Sequence, residues 1–324
     1  MRNLNIEGLR GVLMFWIILF HYTTRYGELF NVSVPWEFEN GGVVGVALFF
    51  VISGFFLGKT LLNEKKIGLN QAFKFSINKY WRLYIPYVIS VIIIYVITDL
   101  LFPLQGRECD VKSFVINLFL IYHPFVSFVD GSHWFIADLI KIQIFLSLLY
   151  VFRKSETRTV LIWVSSAVLL VFVVVNYSLD SDWFTLFYRF IGVKSFLSVL
   201  LGVNLYFVFA ERNFYNGILS TLIIIYLSLS IHLVFIPLYL FLFYCFISKN
   251  RINFWLEKYR IFNNNVLLFL GSVSFQWYLV HQNIGFVILN HLGHPIGLIV
   301  ALGMTFICAV CVKYFTDRLP DRIY

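Results

Sequence analysis

The sequence predicts an all-α polytopic membrane protein with about ten transmembrane helices and both termini in the cytoplasm. Three observations predict this class. Of the 324 residues, 60% are hydrophobic and only 13% are charged, whereas soluble domains carry roughly twice that charged fraction. Apolar runs long enough to cross a bilayer recur from one end to the other. The positive charges are concentrated in short segments between these runs, and such segments mark the cytoplasmic side.

Ten apolar runs account for the predicted membrane helices. They cover residues 8–25, 41–58, 83–102, 134–152, 159–177, 192–210, 216–232, 233–248, 266–290 and 295–315. No polar stretch is long enough to form a soluble domain, so residues 1–324 are predicted to form a single integral membrane domain. The net charge of +8 is explained by this loop pattern, and no nucleic-acid partner is expected.

Loop charges set the predicted topology. The basic segments 58–82, 153–158 and 249–260 are assigned to the cytoplasm, and the acidic segment 23–40 to the outer face. Two cytoplasmic loops must be joined by an even number of crossings. The further apolar run 113–129 is therefore predicted to be re-entrant or to lie at the outer face.

The cytoplasmic segment 69–82 mixes aromatic and basic residues. Its apolar positions Phe73, Ile77 and Trp81 are four residues apart and fall on one helical face. The sequence predicts a helix lying on the inner membrane surface, in contact with membrane lipids.

The first run carries two ionisable residues, Arg10 and His21. At about 100° per residue they share one helical face, separated by roughly 16 Å along the axis. Ionisable groups at membrane depth are rare and usually face a cavity or a partner. A simpler interpretation treats Arg10 as a cytoplasmic anchor and His21 as an interfacial hydrogen-bonding residue.

Lys79 and Arg82 lie three residues apart at the cytoplasmic start of the third helix. They suit a phosphate clamp, because a planar guanidinium and an ammonium together bind phosphate well. The alternative is a pair of cations that anchor the helix within an aromatic belt.

Two other membrane helices also contain polar residues. Asp138 and Lys141 are close enough along a helix to neutralise each other, and His281 lies deep in the ninth run. A lone histidine in such a position is more often a hydrogen-bonded packing residue than a catalyst. No metal site is predicted, since neither the Cys308–Cys311 pair nor the histidines of the last outer loop has further ligands nearby.

Six segments, in chain order, resemble the acyltransferase-3 family, the integral membrane acyltransferases that modify bacterial surface polysaccharides. They are "IEGLRGVLMFWIILFH", "GVALFFVISGFFLGKTL", "KYWRLYIPY", "HWFIADL", "SVSFQWYLVHQNI" and "KYFTDRLP". The first matches the family's opening, in which a basic residue and a histidine flank ten others. Those two residues are Arg10 and His21 here.

The sequence departs from the family pattern at two positions. Many members carry a glutamate a few residues after the tryptophan that corresponds to Trp134, but position 139 is leucine and Asp138 is one residue out of register. The first cation of the basic motif is Lys79 rather than the commoner arginine.

The resemblance implies an O-acyltransferase of the bacterial inner membrane that uses a cytoplasmic acyl-CoA, most simply acetyl-CoA. The implied acceptor is a sugar hydroxyl of a polysaccharide or lipid-linked saccharide, such as O-antigen of lipopolysaccharide, capsule or exopolysaccharide. It implies CoA phosphates near Arg10, Lys79 and Arg82, and the thioester toward His21. Histidine can act as a general base at neutral pH or carry the acyl group itself. Trp134, Asp138 and His281 are candidates for contacting or supporting the substrate.

Two other classes of function fit the same composition. A transporter or flippase of lipid-linked saccharide would also contain about ten helices with intramembrane charges, but it would more often show repeated halves. A structural partner in a polysaccharide-assembly complex would not require the basic residue and histidine at this spacing. The sequence makes no prediction about the oligomeric state.

Overall fold

A computed structural model describes residues 4–39, 41–63, 68–120, 128–151, 154–178, 192–211, 213–230 and 262–318. These residues form helices and short connections, with no strand among them, which confirms the predicted all-α class. The predicted run 233–248 and the basic loop 249–260 lie outside the described residues.

The helices are named in chain order. They are α1 (Leu4–Phe20), α2 (Tyr26–Phe30), α3 (Gly41–Asn63), α4 (Leu69–Tyr95), α5 (Val111–Leu118), α6 (Trp134–Ser147), α7 (Lys154–Ser178), α8 (Val193–Glu211), α9 (Phe214–Ser230), α10 (Asn265–Leu292) and α11 (Ile296–Thr316). A π-helical turn, His21–Arg25, joins α1 to α2, and a second, Val96–Leu101, follows α4.

Five helical segments in the described part of the chain are long and apolar enough to cross a membrane. They are Leu4–Phe30, Gly41–Leu61, Leu69–Leu101, Glu156–Val173 and Ile296–Thr316. Large apolar side chains on these segments face outward, as in Trp163, which is 71% exposed, and Ile299, which is 70% exposed. Exposed apolar surface of this kind is expected where lipid replaces water around the protein.

The structure confirms a helix at residues 69–82 but corrects its predicted end at residue 82, while its position on the inner membrane surface stays a prediction. Those residues form one continuous helix, α4, with the predicted third membrane span, and Pro86 lies inside it. The amphipathic pattern itself is present, because Leu69, Phe73, Ile77 and Trp81 all expose apolar surface. A helix that continues through residue 82 satisfies the backbone of both parts without a break.

The described part of the run 113–129 contains a short helix. α5 has eight residues, and the residue before it, Asp110, caps it with a carboxylate that accepts a hydrogen bond from the Ser113 amide at 2.8 Å. Eight residues of helix span about 12 Å, well short of a bilayer core of about 30 Å. Residues 121–127 of this run lie outside the described residues, so the non-crossing segment stays a prediction.

The chain divides into two compact units. The first comprises Met1–Val46, Tyr80–Ala137 and Arg260–Tyr324, and the second comprises Ala47–Lys79 and Asp138–Tyr259. Within the second unit, α3 and α8 approach closely through glycines on both helices. A side chain at Gly54 would overlap the Val199 backbone, and one at Gly202 would overlap the Val51 backbone. Small residues allow this kind of backbone contact between membrane helices.

Within the first unit, α1 packs against α10, which in turn packs against α11. The α1–α10 contact also depends on glycine. A side chain at Gly271 would overlap the Glu7 carbonyl, and one at Gly11 would come within 2.9 Å of the Gly271 amide nitrogen. This close packing places the turn that follows α1, which begins with His21, alongside the middle of α10, where His281 lies.

Candidate functional site

His21 begins the π-helical turn that follows α1. Its Nδ1 lies 2.9 Å from the Ile17 carbonyl oxygen, and two residues later the Thr23 hydroxyl donates to the Leu19 carbonyl at 2.6 Å. π-helical turns are rare and often occur at functional sites, because the wider turn changes the direction of a side chain. The sequence of the turn, "HYTTR", gives no sign of this geometry.

The first unit brings His21 and His281 into contact across 260 residues of sequence. The Nε2 atom of His281 lies 3.3 Å from the Nδ1 atom of His21. The two rings meet edge to face, with centroids 4.8 Å apart. Two residues that the sequence analysis selected separately therefore form one pair.

The hydrogen bonds determine which nitrogen carries the proton in each neutral ring. A carbonyl oxygen only accepts, so His281 donates from Nδ1 to the Tyr278 carbonyl at 2.7 Å and keeps a lone pair on Nε2. His21 likewise donates from Nδ1, toward the Ile17 carbonyl and the His281 Nε2 atom. This arrangement leaves the lone pair of His21 on Nε2, on the side of the ring away from both partners.

Burial distinguishes the two histidines. His281 is 0% exposed, whereas His21 is only partly buried. His21 is therefore the more exposed of the two rings, and His281 lies behind it in the protein interior.

A second layer of contacts holds this part of α1 against α10 and α11. The Tyr22 hydroxyl donates to the His281 carbonyl at 2.7 Å and lies 3.1 Å from the Thr305 hydroxyl, which also accepts a bond from Trp277 Nε1 at 3.0 Å. A side chain at Gly285 would overlap the Tyr22 ring. Tyr22 therefore fixes the rotation of the turn that carries His21.

Arg10 lies on α1, about three helical turns before His21. Its guanidinium is 3.7 Å from the Glu7 carboxylate, and the arginine side chain is 28% exposed. The pairing with a buried carboxylate fixes the position of the guanidinium and leaves part of it accessible.

The two cations of the predicted phosphate clamp have different surroundings on α4. Lys79 lies over the Phe75 ring, with Nζ 4.7 Å from the ring centroid, while Arg82 is exposed. A stacked group of aromatic residues, Tyr80 and Tyr84 with Trp81 at its edge, accompanies them on the same helix.

Asp138 has a supporting role in the second unit. Its carboxylate accepts a hydrogen bond from the Ser195 hydroxyl at 2.8 Å and forms an ion pair with Lys141 at 2.8 Å. A side chain at Gly192, the residue before α8, would overlap this carboxylate. Asp138 thus joins α6 to the amino-terminal end of α8, where a negative charge is favourable.

Trp134 is the first residue of α6. It is 38% exposed, and its ring lies 6.4 Å from that of Phe135. Its exposed surface is compatible with a contact to substrate or lipid.

Comparison with known proteins shows the family. The sequence profile of the acyltransferase-3 family, described as an acyltransferase domain, matches residues 3–316. The chain belongs to this acyltransferase family. The match covers nearly the whole chain and confirms the resemblance carried by the six motifs.

One relative of this acyltransferase has a name that states its function. The chain is similar to "Peptidoglycan O-acetyltransferase OatA" of Listeria monocytogenes, with 29% identity over 204 residues, which are 57% of this chain and 29% of the relative. The chain spans less than a third of the length of that protein. No solved structure gives a significant match.

The structure also shows four buried polar residues near the histidine pair that the sequence analysis missed. Asp130 and His133 precede α6, and Gln282 and Asn283 follow His281 on α10; all four are at least 97% buried. The polar segment "DGSHW" at 130–134 is the one local signal that could have identified the first two. Gln282 and Asn283 stand inside an apolar helix, which is itself unusual.

A polar cavity of about 640 Å³ lies beside the π-helical turn. Its lining includes Thr24, Glu28, Asn31, Ser33, Glu37 and Glu39. The carboxylates disfavour an anionic ligand there, so this cavity is a poor candidate for CoA phosphates.

Proposed function

We propose that this protein is a membrane O-acetyltransferase that transfers an acetyl group from acetyl-CoA to a sugar hydroxyl of a bacterial surface polysaccharide. The observation that carries the proposal is the His21–His281 pair within an acyltransferase family member. One histidine is accessible and has a lone pair directed away from its partners, and the other is buried behind it. This is the arrangement that a general base with a positioning partner requires.

The proposed step is a direct transfer. The acceptor hydroxyl oxygen attacks the thioester carbonyl carbon and forms a new C–O bond, while its proton passes to His21 Nε2. The tetrahedral intermediate then breaks the C–S bond, and the departing CoA sulfur takes the proton from His21. His281 accepts a hydrogen bond from His21 Nδ1 throughout, which keeps Nε2 directed at the reacting atoms.

Donor binding is assigned to the three cations of the sequence analysis. Arg10, Lys79 and Arg82 would bind the phosphates of acetyl-CoA at the cytoplasmic side. The distance of roughly 16 Å between Arg10 and His21 along a helix is comparable with an extended pantetheine arm. The partial exposure of Arg10 and the exposure of Arg82 support this assignment.

The acceptor is proposed to be a polysaccharide or lipid-linked saccharide at the outer face. The name of the Listeria relative indicates peptidoglycan for that protein. For this chain, the candidate acceptors are therefore peptidoglycan, O-antigen of lipopolysaccharide, capsule and exopolysaccharide.

The full membrane arrangement belongs to the same proposal. We infer ten transmembrane helices, cytoplasmic termini and a multi-pass location in the bacterial inner membrane. The five described spans and the distribution of basic residues support this arrangement.

The proposal is tested by measuring O-acetyl groups. Surface polysaccharide from a deletion strain, complemented with the wild-type gene or with His21→Ala, is analysed by mass spectrometry at matched protein abundance. We expect acetylation with the wild-type gene and none with His21→Ala. A polysaccharide of unchanged acetyl content in the deletion strain would reject the proposed function.

A further inference from the structure

A second group of buried polar residues lies next to the histidine pair. Asp130 and His133 come from the segment that precedes α6, and Gln282 and Asn283 come from α10. Their exposed fractions are 0%, 1%, 3% and 1%. The proposed chemical step uses none of them, yet burying polar groups is costly unless they have partners.

The Asp130 carboxylate joins this segment to the middle of α10. One carboxylate oxygen accepts bonds from the amide and hydroxyl of Ser132 at 2.9 and 2.7 Å, and the other accepts the Asn283 amide at 2.9 Å. His133 Nε2 donates to the Leu279 carbonyl at 2.9 Å. In an ordinary α-helix the Leu279 carbonyl and the Asn283 backbone amide bond to each other. Here each of them also bonds to a residue of the segment that precedes α6. These bonds hold the turn of α10 that carries His281.

Three hydrogen-bond acceptors in this group have no partner among the described residues. They are His133 Nδ1, Gln282 Oε1 and Asn283 Oδ1, and all three atoms are buried. The Nδ1 atom of neutral His133 carries a lone pair, because Nε2 carries the proton that bonds to Leu279. Buried polar groups normally have a partner in the protein or in bound water, so each of these acceptors has the capacity to accept a hydrogen bond from a bound molecule.

The guanidinium of Arg107 adds hydrogen-bond donors to this group of buried polar residues. A side chain at Gly131 would overlap the Arg107 Nη2 atom and would come within 3.3 Å of Gln282 Nε2, so both nitrogens lie around the same glycine. The guanidinium carbon lies 5.7 Å from the Phe286 ring centroid, and the residue is only partly buried. Arg107 is therefore the most exposed residue of the group.

The charges restrict the chemistry of the ligand. Three unpaired acceptors next to the Asp130 carboxylate disfavour a phosphate, and Arg107 disfavours a cation. A neutral molecule with several hydroxyl groups fits both conditions, because a hydroxyl donates to an acceptor and accepts from a guanidinium.

We propose that Arg107, His133, Gln282 and Asn283 form the subsite that binds the hydroxyl groups of a carbohydrate acceptor next to His21. This inference rests on the proposed acetyltransferase function and names the residues that hold its second substrate. The Asp130 and His133 bonds to α10 would then couple acceptor binding to the turn that carries His281.

The test uses full-length protein in nanodiscs, with acetyl-CoA as donor and a tetramer of N-acetylglucosamine as the acceptor probe. Gln282→Met removes the Oε1 acceptor that has no partner among the described residues, at nearly constant volume. Arg107→Lys keeps the charge but removes the planar fork. Each variant should raise the acceptor KM about threefold to tenfold, the loss expected for one hydrogen bond. The KM for acetyl-CoA and the thermal stability should be unchanged.

Matched controls separate this subsite from general packing effects. Gln276→Met removes another buried glutamine of α10 whose Oε1 atom has no partner among the described residues, and Arg25→Lys keeps the ion pair with Glu28. Both controls should leave the acceptor KM unchanged.

The outcomes distinguish the two proposals. Wild-type transfer with an unchanged acceptor KM in both Gln282→Met and Arg107→Lys would overturn the subsite and leave the acetyltransferase function standing. Absence of acetyl groups on the polysaccharide of wild-type cells would overturn the function itself. If the tetramer is not acetylated by the wild type, the same variants are compared in cells by polysaccharide acetyl content, where wild-type content in both would reject the subsite.

Discussion

The Nε2 atom of His281 lies 3.3 Å from the Nδ1 atom of His21, although the two residues are 260 positions apart. His281 is fixed in turn by its bond to the Tyr278 carbonyl at 2.7 Å. The buried ring and the Ile17 carbonyl, 2.9 Å from His21 Nδ1, therefore fix the orientation and the tautomer of the more exposed ring together. In the proposed mechanism, two oriented groups behind the nitrogen that takes the proton follow the logic of catalytic triads.

The first prediction concerns the role of His281. His281→Phe keeps an aromatic ring but removes one of the two acceptors for His21 Nδ1 and leaves the Ile17 carbonyl. We expect kcat to fall roughly 10- to 100-fold, because the imidazole that orients His21 is lost. His281→Gln offers an amide oxygen near the same place and should restore part of the rate. Steady-state kinetics on purified protein check both variants.

A variant that carries both His21→Ala and His281→Phe shows whether His281 acts by positioning the His21 ring. If His281 acts only by orienting His21, adding His281→Phe to His21→Ala should cause no further loss, because residues that act as a unit are not additive. Multiplicative losses in the double variant would instead show that His281 contributes on its own.

The second prediction concerns Asp138, whose contacts are structural. Asp138→Ala removes the partner of Ser195 and Lys141 and should destabilise the protein by about 1–3 kcal/mol. We expect a lower Tm in detergent with an unchanged kcat per folded molecule. Glu28→Gln is the matched control, because the Arg25–Glu28 pair has the same spacing but is exposed and should contribute less than about 1 kcal/mol. A fall in kcat at full folding would place Asp138 in the reaction.

Part of the site followed from local sequence. Arg10 and His21 are eleven residues apart on one helical face, and a histidine in an apolar run stands out without any structure. The all-α class followed from composition and apolar runs for the same reason, since helices are the simplest way to satisfy a backbone in lipid.

The pairing of His21 with His281 did not follow from local sequence. It depends on how closely α1 approaches α10, and the glycines Gly11 and Gly271 that permit this contact carry no signal of their partner. Asp130 was missed because it lies in an irregular segment where no periodicity applies. The junction at residue 82 was placed wrongly because the aromatic and basic pattern changes there while the helix continues.

The third prediction tests Arg82 as a phosphate ligand. Arg82→Lys keeps the positive charge but cannot make a bidentate contact, so acetyl-CoA affinity should fall roughly ten- to a hundredfold. If Arg82 only anchors the helix, lysine should serve equally well. Binding is measured by titration at several salt concentrations, and Arg318→Lys serves as an exposed arginine control. Equal affinity of Arg82→Lys and wild type at every salt concentration would move the donor site elsewhere.

The fourth prediction concerns the Cys109 thiol in the connection before α5. Burial, together with the carboxylates of Asp99 and Asp110, raises its pKa to about 12. Because the thiolate is the reactive form, the fraction available at pH 7 is on the order of a thousandfold below that of an ordinary cysteine. We expect maleimide to modify Cys109 slowly in folded protein at pH 7 and rapidly after denaturation. Rapid modification at pH 7 in the folded state would show that the thiol is accessible and unperturbed.

The fifth prediction tests the membrane topology, on which the proposed donor side depends. In a variant without native cysteines, Lys66→Cys should be protected from an impermeant thiol reagent in intact cells with a permeabilised outer membrane, because the basic loop 58–82 is assigned to the cytoplasm. Asp180→Cys should be labelled, because an odd number of crossings separates the two positions in the proposed arrangement. Lysed cells provide the control, in which both positions should be labelled. The reverse pattern in intact cells would invert the protein, and Arg10 and Arg82 would then face the side of the membrane where acetyl-CoA is absent.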